Sequence, residues 1–204
     1  MRKKRALSLS VAVLMSIMLS FATGLSGAKV AEADSVLPLS GQANVLTNIA
    51  SLHQLVGFPS GGTFNGSLDV TTSTITGNMS LPQATVSTTV LGFVPMTAVI
   101  EVDQVSPVSG TVNLNALTLK VSTSFNIRII SATVFGFPVN LVGSSCITSS
   151  PVNVNMSGII SKTLSATVGG WYTIPQFKDC GLSTFLVNML IPGSGNTILA
   201  TISL

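Results

Sequence analysis

The sequence predicts an all-β domain, an antiparallel sandwich or barrel-like fold with at most one or two short helices, behind an N-terminal signal peptide. Short segments of alternating apolar and polar residues recur along the chain, Gly-rich turn signals punctuate them, and the opening is that of an exported precursor with two cysteines downstream.

The opening residues come first. Arg2, Lys3, Lys4 and Arg5 precede an apolar stretch over 6–25, and small residues follow at Ala31 and Ala33 on either side of Glu32. Basic, apolar and then small-x-small is the order of a secretory signal peptide. Cleavage after Ala33 divides the chain into a signal, 1–33, and a single secreted β domain, 34–204. An uncleaved membrane anchor is the competing reading, because the apolar run approaches the length of a span.

Cleavage changes the electrostatics. The precursor carries nine basic and six acidic residues, net +3, but Lys120, Arg128, Lys162 and Lys178 alone face Asp34, Asp69, Glu101, Asp103 and Asp179 in the mature chain, leaving −1. A nucleic-acid partner needs a basic stripe, and four scattered cations do not make one. Ser, Thr and Asn take over the polar duties. No second apolar run long enough to cross a bilayer follows, so no stable membrane span is expected after cleavage. The mature length suits one ordinary domain with a sizeable core.

Alternation marks strands over residues 63–70, 73–81, 97–105, 111–121, 125–134, 152–159, 164–172 and 197–204, all rich in Val, Thr, Ile and Phe. Turn signals stand at Gly61-Gly62, Thr76-Gly77-Asn78, Ser109-Gly110, Gly169-Gly170 and Gly193-Ser194-Gly195-Asn196. Two segments place apolar residues at three- and four-residue spacing without Gly or Pro, 45–55 and 182–190. They are the candidate helices, the second opening at Gly181 or Ser183. Residues 87–93 and 131–137 agree at five of seven positions, and each is followed at the same distance by Ser-Pro-Val, at Ser106-Pro107-Val108 and Ser150-Pro151-Val152. That echo suggests a repeated strand, Gly-Phe kink and second strand.

Cys146 and Cys180 are the only cysteines, and an even pair in an exported chain reads as a disulfide. Neither follows the apolar core of the signal directly, so the lipid-modified cysteine of a lipoprotein is not expected.

Catalytic and metal chemistry find little support. The sole histidine, His53, lies between Leu52 and Gln54 with no Gly-x-Ser-x-Gly elbow in the chain and no nearer acid downstream than Asp69. Glu101 and Asp103 sit two apart in a strand, so they project from one face about 7 Å apart. Their neighbours Ile100, Val102, Gln104 and Val105 alternate in the ordinary way, which favours a solvent face over acid–base or calcium chemistry. One His and two paired Cys cannot build a zinc site, so no metal and no cofactor is expected. Gly193-Ser194-Gly195-Asn196 lacks the lysine and the strand–helix setting of a phosphate loop. Asn65, Asn78 and Asn155 open Asn-x-Ser sequons, which carry meaning only in a glycosylating host.

Trp171 and Tyr172, the only Trp and the only Tyr, are the possible ligand contacts. Exposed together they would form a platform for a sugar ring, but neighbours in a strand face opposite ways, so one of them is expected in the core. A transmembrane barrel is disfavoured, because aromatic girdles need more than these two residues.

A resemblance emerges from several motifs taken in order. They are Gly92-Phe93-Val94-Pro95-Met96-Thr97-Ala98, Val134-Phe135-Gly136-Phe137-Pro138-Val139, Cys146-Ile147-Thr148 with Pro151, Gly170-Trp171-Tyr172-Thr173-Ile174-Pro175-Gln176-Phe177, Cys180-Gly181 and Gly195-Asn196-Thr197. Over about 62–204 the chain resembles an uncharacterised family of small secreted actinobacterial β-domain proteins with two conserved cysteines. The resemblance implies an exported β domain with a conserved disulfide and no particular activity.

The expected role is non-enzymatic: a secreted, extracellular or cell-envelope-associated protein acting through its surface as a structural or adhesive component. Its partners would be cell-wall polymer or further copies of itself. The alternative is an extracellular carrier for an apolar, lipid-like molecule held between sheets or inside a barrel. A secreted hydrolase built on His53 or on the two carboxylates ranks third.

Overall fold

Strands follow the alternation in chain order: β1 (Val36–Ile49), β2 (Gln54–Gly57), β3 (Gly62–Asp69), β4 (Thr74–Ser80), β5 (Ala84–Val90), β6 (Val94–Asn113), β7 (Thr118–Val134), β8 (Ile147–Thr148), β9 (Val152–Ile160), β10 (Ser165–Ile174), β11 (Phe177–Lys178) and β12 (Gly193–Ser203). Among the described residues, 3-10 turns span Ala50–Leu52 and Gly181–Ser183, and an α-helix, α1, spans Thr184–Leu190. The computed structural model describes residues 35–90, 92–136, 139–163 and 165–204. The expected signal peptide lies outside them.

Eight strands close a ring of antiparallel pairings in chain order, β1-β3-β4-β6-β7-β9-β10-β12 and back to β1. This is an up-and-down barrel. Its two ends are built differently. At one end the hairpins β3–β4, β6–β7 and β9–β10 turn tightly just after Asp69, Asn113 and Ile160. Each turn is stapled by a side chain that accepts backbone N–H groups two and three or more residues on. Asp69 Oδ1 takes Thr71 N at 2.8 Å and Thr72 N at 3.1 Å, Asn113 Oδ1 takes Asn115 N at 3.1 Å and Ala116 N at 2.9 Å, and Ser161 Oγ takes Thr163 N and Ser165 N at 3.3 Å. At the other end the long connections carry β2, β5, β8, β11, both 3-10 turns and α1.

Strands β6 and β7 outrun their neighbours and make the barrel flare. β6 pairs with β4 over Val108–Thr111 and, further on, with β5 over Val94–Ile100. β7 pairs with β9 as far as Phe125 and beyond it with β8 at Arg128. The closed barrel therefore opens into two facing layers, β5-β6-β7-β8-β11 and β2-β1-β12-β10. Alternation alone left sandwich and barrel open, and the fold uses both.

The repeated Ser-Pro-Val motif marks the level of the change. The β6–β7 register shifts between Gln104 and Ser109, around a proline with no N–H to give the ladder. Side chains satisfy the backbone released there. Gln104 Oε1 accepts Met79 N at 2.8 Å and its Nε2 donates to Ser106 O at 2.9 Å, while Ser106 Oγ accepts Ser124 N at 2.9 Å. Ser106 stands opposite Ser124 on one side of β7, and Val152 opposite Phe125 on the other.

Two expectations are corrected. Residues 45–55 are not a helix: Val45, Thr47 and Ile49 alternate inward along β1, and the chain reverses through the 3-10 turn and His53, whose φ is 50°. The three- and four-residue spacing there coincides with a β-branched alternation, and the strand won. Likewise Thr76-Gly77-Asn78, Ser109-Gly110 and Gly169-Gly170 lie inside β4, β6 and β10. Their glycines serve packing, as the paired Gly66 and Gly77 show: the Phe64 ring lies over both, and a Cβ on Gly77 would meet ring carbon Cε2 at 2.7 Å. The second candidate helix is present, as the Gly181–Ser183 turn running into α1.

The interior is apolar, filled by inward residues such as Val45, Phe64, Val121, Val154, Val168 and Ala200. The outer face of the same strands carries Asn44, Asn65, Thr76, Asn78, Ser122, Asn155 and Ser157 exposed. A lipid-embedded barrel needs the opposite distribution, an apolar outer band. Among the described residues no helix is long and apolar enough to cross a membrane.

Candidate functional site

The apolar interior is not completely filled. A cavity of about 70 Å³ lies along the closed barrel, lined by Phe64, Ile75, Val108, Val121 and Met156 among others. A second of about 70 Å³ occupies the flare, between Val45, Thr47 and Ile198 on one layer and Val86, Ile100 and Ile129 on the other. A third of about 200 Å³ lies beneath α1, walled by Val90, Val94, Val134, Val142, Leu186 and Leu190. They adjoin: Met79 lines the first and second, and Met96, Ala98, Ile129 and Ile191 line the second and third. A shell of eight strands is wide enough to be filled by side chains or to hold one small ligand, and apolar cavities of this kind stay dry and accept apolar guests.

Two hydroxyls meet inside the flare. Tyr172 is only 7% exposed, packs edge-on against Phe125 with ring centres 6.2 Å apart, and places its Oη 2.6 Å from Thr47 Oγ1. Thr47 donates to Thr197 O at 2.8 Å, so the phenol is the donor to Thr47. Burial pushes the Tyr172 phenol above its ordinary value, and the bond to Thr47 offsets this only in part. The pair is satisfied internally, and the surrounding surface is left to carbon and sulfur.

Helix α1 is the cover. The Cys146–Cys180 disulfide, with both residues fully buried, ties the segment before α1 to β8. Asn188 then clips the helix onto β11, accepting Phe177 N at 2.6 Å and donating to Phe177 O at 2.9 Å. Ser183 donates a short hydrogen bond to Leu141 O. The helix and the 3-10 turn before it nonetheless show apolar side chains to solvent: Phe185 is 75% exposed, with Leu182, Leu186 and Met189 also open. Leu186 and Met189 line the 200 Å³ cavity as well, so it reaches the surface beside α1. Exposed Phe93 and Phe135 flank the same end, where the second copy of the sequence echo meets the start of β6 through Phe135 N to Pro95 O at 3.0 Å.

The residues singled out in the sequence fall in separate places. Tyr172 is in the core and Trp171, 73% exposed, stands on the outer face between Asn155 and Thr197, so they form no joint platform. His53 is exposed in the β1–β2 turn. Asp103 pairs with Arg128 at 2.9 Å, and Glu101 accepts Gln83 Nε2 at 2.7 Å, both on the outer side of β6. Among the described residues no three His, Cys, Asp or Glu side chains gather as metal ligands would. Gly193-Ser194-Gly195-Asn196 opens β12, and the 1% exposed Asn196 accepts Ala50 N at 3.0 Å and donates to Gly193 O at 2.7 Å and Tyr172 O at 3.2 Å. Sequence reasoning missed Thr47 and Asn188 and takes Met79 and Met96 for ordinary gap-filling core residues, since nothing local separates them from other strand and helix residues.

A shallow polar depression of about 440 Å³ crosses the outer face of β6, β7 and β9, lined by Ser109, Thr111, Lys120, Ser122, Asn155 and Ser157. Asn155 joins it to Trp171 through strand register.

No family model matches the sequence, and no curated protein or solved structure matches it either.

Proposed function

We propose that this protein is a non-enzymatic, exported carrier that holds an apolar small molecule inside its flared barrel. The carrying observation is the row of adjoining apolar cavities that reaches the surface beside α1. Export is supported by the signal-like N-terminus and by the buried disulfide, which suits an oxidising compartment. The apolar rim of Phe93, Phe135, Phe185 and Met189 gives a water-averse guest a path that avoids the polar outer face.

Native mass spectrometry of the mature protein from its own culture medium tests this, followed by denaturation to release what is bound. A stoichiometric apolar molecule is the expected result. A chain that is empty, and stays empty when offered apolar probes, contradicts it.

A second reading rests on Trp171. Its indole stands beside Asn155 and Thr197 at the border of a hydroxyl- and amide-lined depression, a combination that suits a sugar ring. This keeps the envelope-surface role, with wall polymer as partner. Co-sedimentation with purified wall polymer that is lost in Trp171→Ala would favour it, and equal sedimentation of both proteins would remove it.

A further inference from the structure

We infer that the guest is a single unbranched alkyl chain, which passes beneath α1 and threads the barrel past Met96 and then Met79 toward the closed end. This rests on the interior being a ligand site and specifies what the site accepts. The shape of the space carries it. Pockets for compact drug-sized ligands run to about 300–1,000 Å³; here the space is divided into chambers of about 200, 70 and 70 Å³ in a row. A compact ring system outgrows the inner two, whereas a chain one methylene wide can occupy all three in turn.

The residues at the junctions fit this. About half of the residues around the flare cavity are Val and Ile, which are stiff at χ1. Met79 lines both inner chambers, and Met96, with Ala98, Ile129 and Ile191, lines both the flare and the chamber beneath α1. An unbranched thioether with three rotatable bonds swings aside without moving backbone. Both strands that carry them are held by ladder hydrogen bonds and by Gln104 on Met79 N, so the partitions move as side chains on fixed strands. Among the described residues no Asp, Glu, Lys, Arg or His lines any of the three chambers, so a polar headgroup stays at the mouth beside α1.

The test titrates the oxidised secreted protein with straight-chain primary alcohols from hexanol to tetradecanol, with adamantanol as a compact control. Affinity is expected to rise about fourfold per added methylene and to stop rising once the chain reaches the closed end, with adamantanol far weaker than a linear alcohol of equal carbon number. Met79→Trp, which blocks the inner junction, should bring the plateau to shorter chains, weakening tetradecanol many-fold more than hexanol. Met79→Ile, close in volume but branched at Cβ, replaces it if tryptophan prevents folding, and should weaken the longest alcohols alone. Affinity independent of chain length, adamantanol binding as tightly as decanol, or a plateau unmoved by both variants would overturn the chain inference and leave a carrier of another ligand shape. Binding of no alcohol at all would overturn the carrier reading itself.

Discussion

The two ends of this barrel share strands but not construction, and the contrast explains where a ligand site can form. At the closed end the strands are joined by four-residue turns, each fixed by Asp69, Asn113 or Ser161, and Phe64 packs on bare glycine backbone at Gly66 and Gly77. At the flared end β6 and β7 part from β4 and β9, the core loses its ring of neighbours, and short added elements have to close it. Local hydrogen bonds secure the first. A covalent bond and a clipped helix secure the second. Room for a guest grows toward the end whose closure depends on long-range ties.

Removing the disulfide should break the comparison most strongly. Cys146 and Cys180 lie 34 residues apart, and losing such a cross-link costs about 4 kcal/mol in the chain-entropy picture, or about 10 °C in melting temperature. Cys146→Ser/Cys180→Ser should speed hydrogen exchange in residues 139–148 and 177–191 while the β3–β4 and β9–β10 hairpins stay protected. Uniform loss of protection would mean that the two ends are one cooperative unit.

Gly77→Val acts on the closed end instead. Its side chain meets the Phe64 ring and Asn65 O, the latter 2.9 Å from the Cβ position, and overpacking of this kind costs about 2 kcal/mol. Alcohol binding in the chamber beneath α1 should be unaffected, which isothermal titration and denaturant melts on the same sample would show.

Thr47→Val should cost about as much, about 2 kcal/mol, by leaving the buried Tyr172 hydroxyl without a partner, against about 1 kcal/mol for Tyr172→Phe. The double variant should be milder than the two losses together, a coupling that a double-mutant cycle reads. The same tyrosine sets the alkaline limit. Its folded pKa is raised above 10.0 by burial, so its contribution is complete below pH 10 and is lost as pH rises through the folded value. Asp69 behaves oppositely. Hydrogen bonds from the Thr72 N–H and hydroxyl, and then from the Thr71 N–H, lower its pKa from 3.8. Its contribution is present above that value and is lost as pH falls through the folded one, loosening the β3–β4 turn first. Hydrogen exchange at both pH extremes would check the pairing of acid with the closed end and alkali with the flare.

Breaking the Arg128–Asp103 pair should matter least. Both side chains are about a third exposed, at 34% and 33%, so Asp103→Asn should shift stability by about 0.5 kcal/mol or less and lose even that in high salt.

Much of the architecture was legible in the chain. Val-Thr-Ile alternation announced an all-β fold, two cysteines behind a signal-like N-terminus announced a disulfide, and the spacing of 182–190 announced α1. The repeated Ser-Pro-Val carried more than its composition suggested, since both copies flank β7 where barrel becomes sandwich. Other features depended on distance in sequence. Residues 45–55 read as a helix, because the pairing with β12 that draws Val45 to Asn48 into a strand is remote in sequence. Gly77 read as a turn because the Phe64 ring that needs it lies thirteen residues away on the next strand. The cavities were the least legible: Met79 and Met96 look like ordinary core methionines, and only the folded barrel places them in the walls that adjoining cavities share.

The central claim is that this space is a ligand site reached from the flared end, and methyl NMR of protein labelled with 13C-methyl methionine tests it most directly. Decanol should shift Met189 at the mouth together with Met96 and Met79 at the partitions, with saturation at one equivalent. A response confined to Met189, or none, would show that the guest stays outside the barrel and contradict the account.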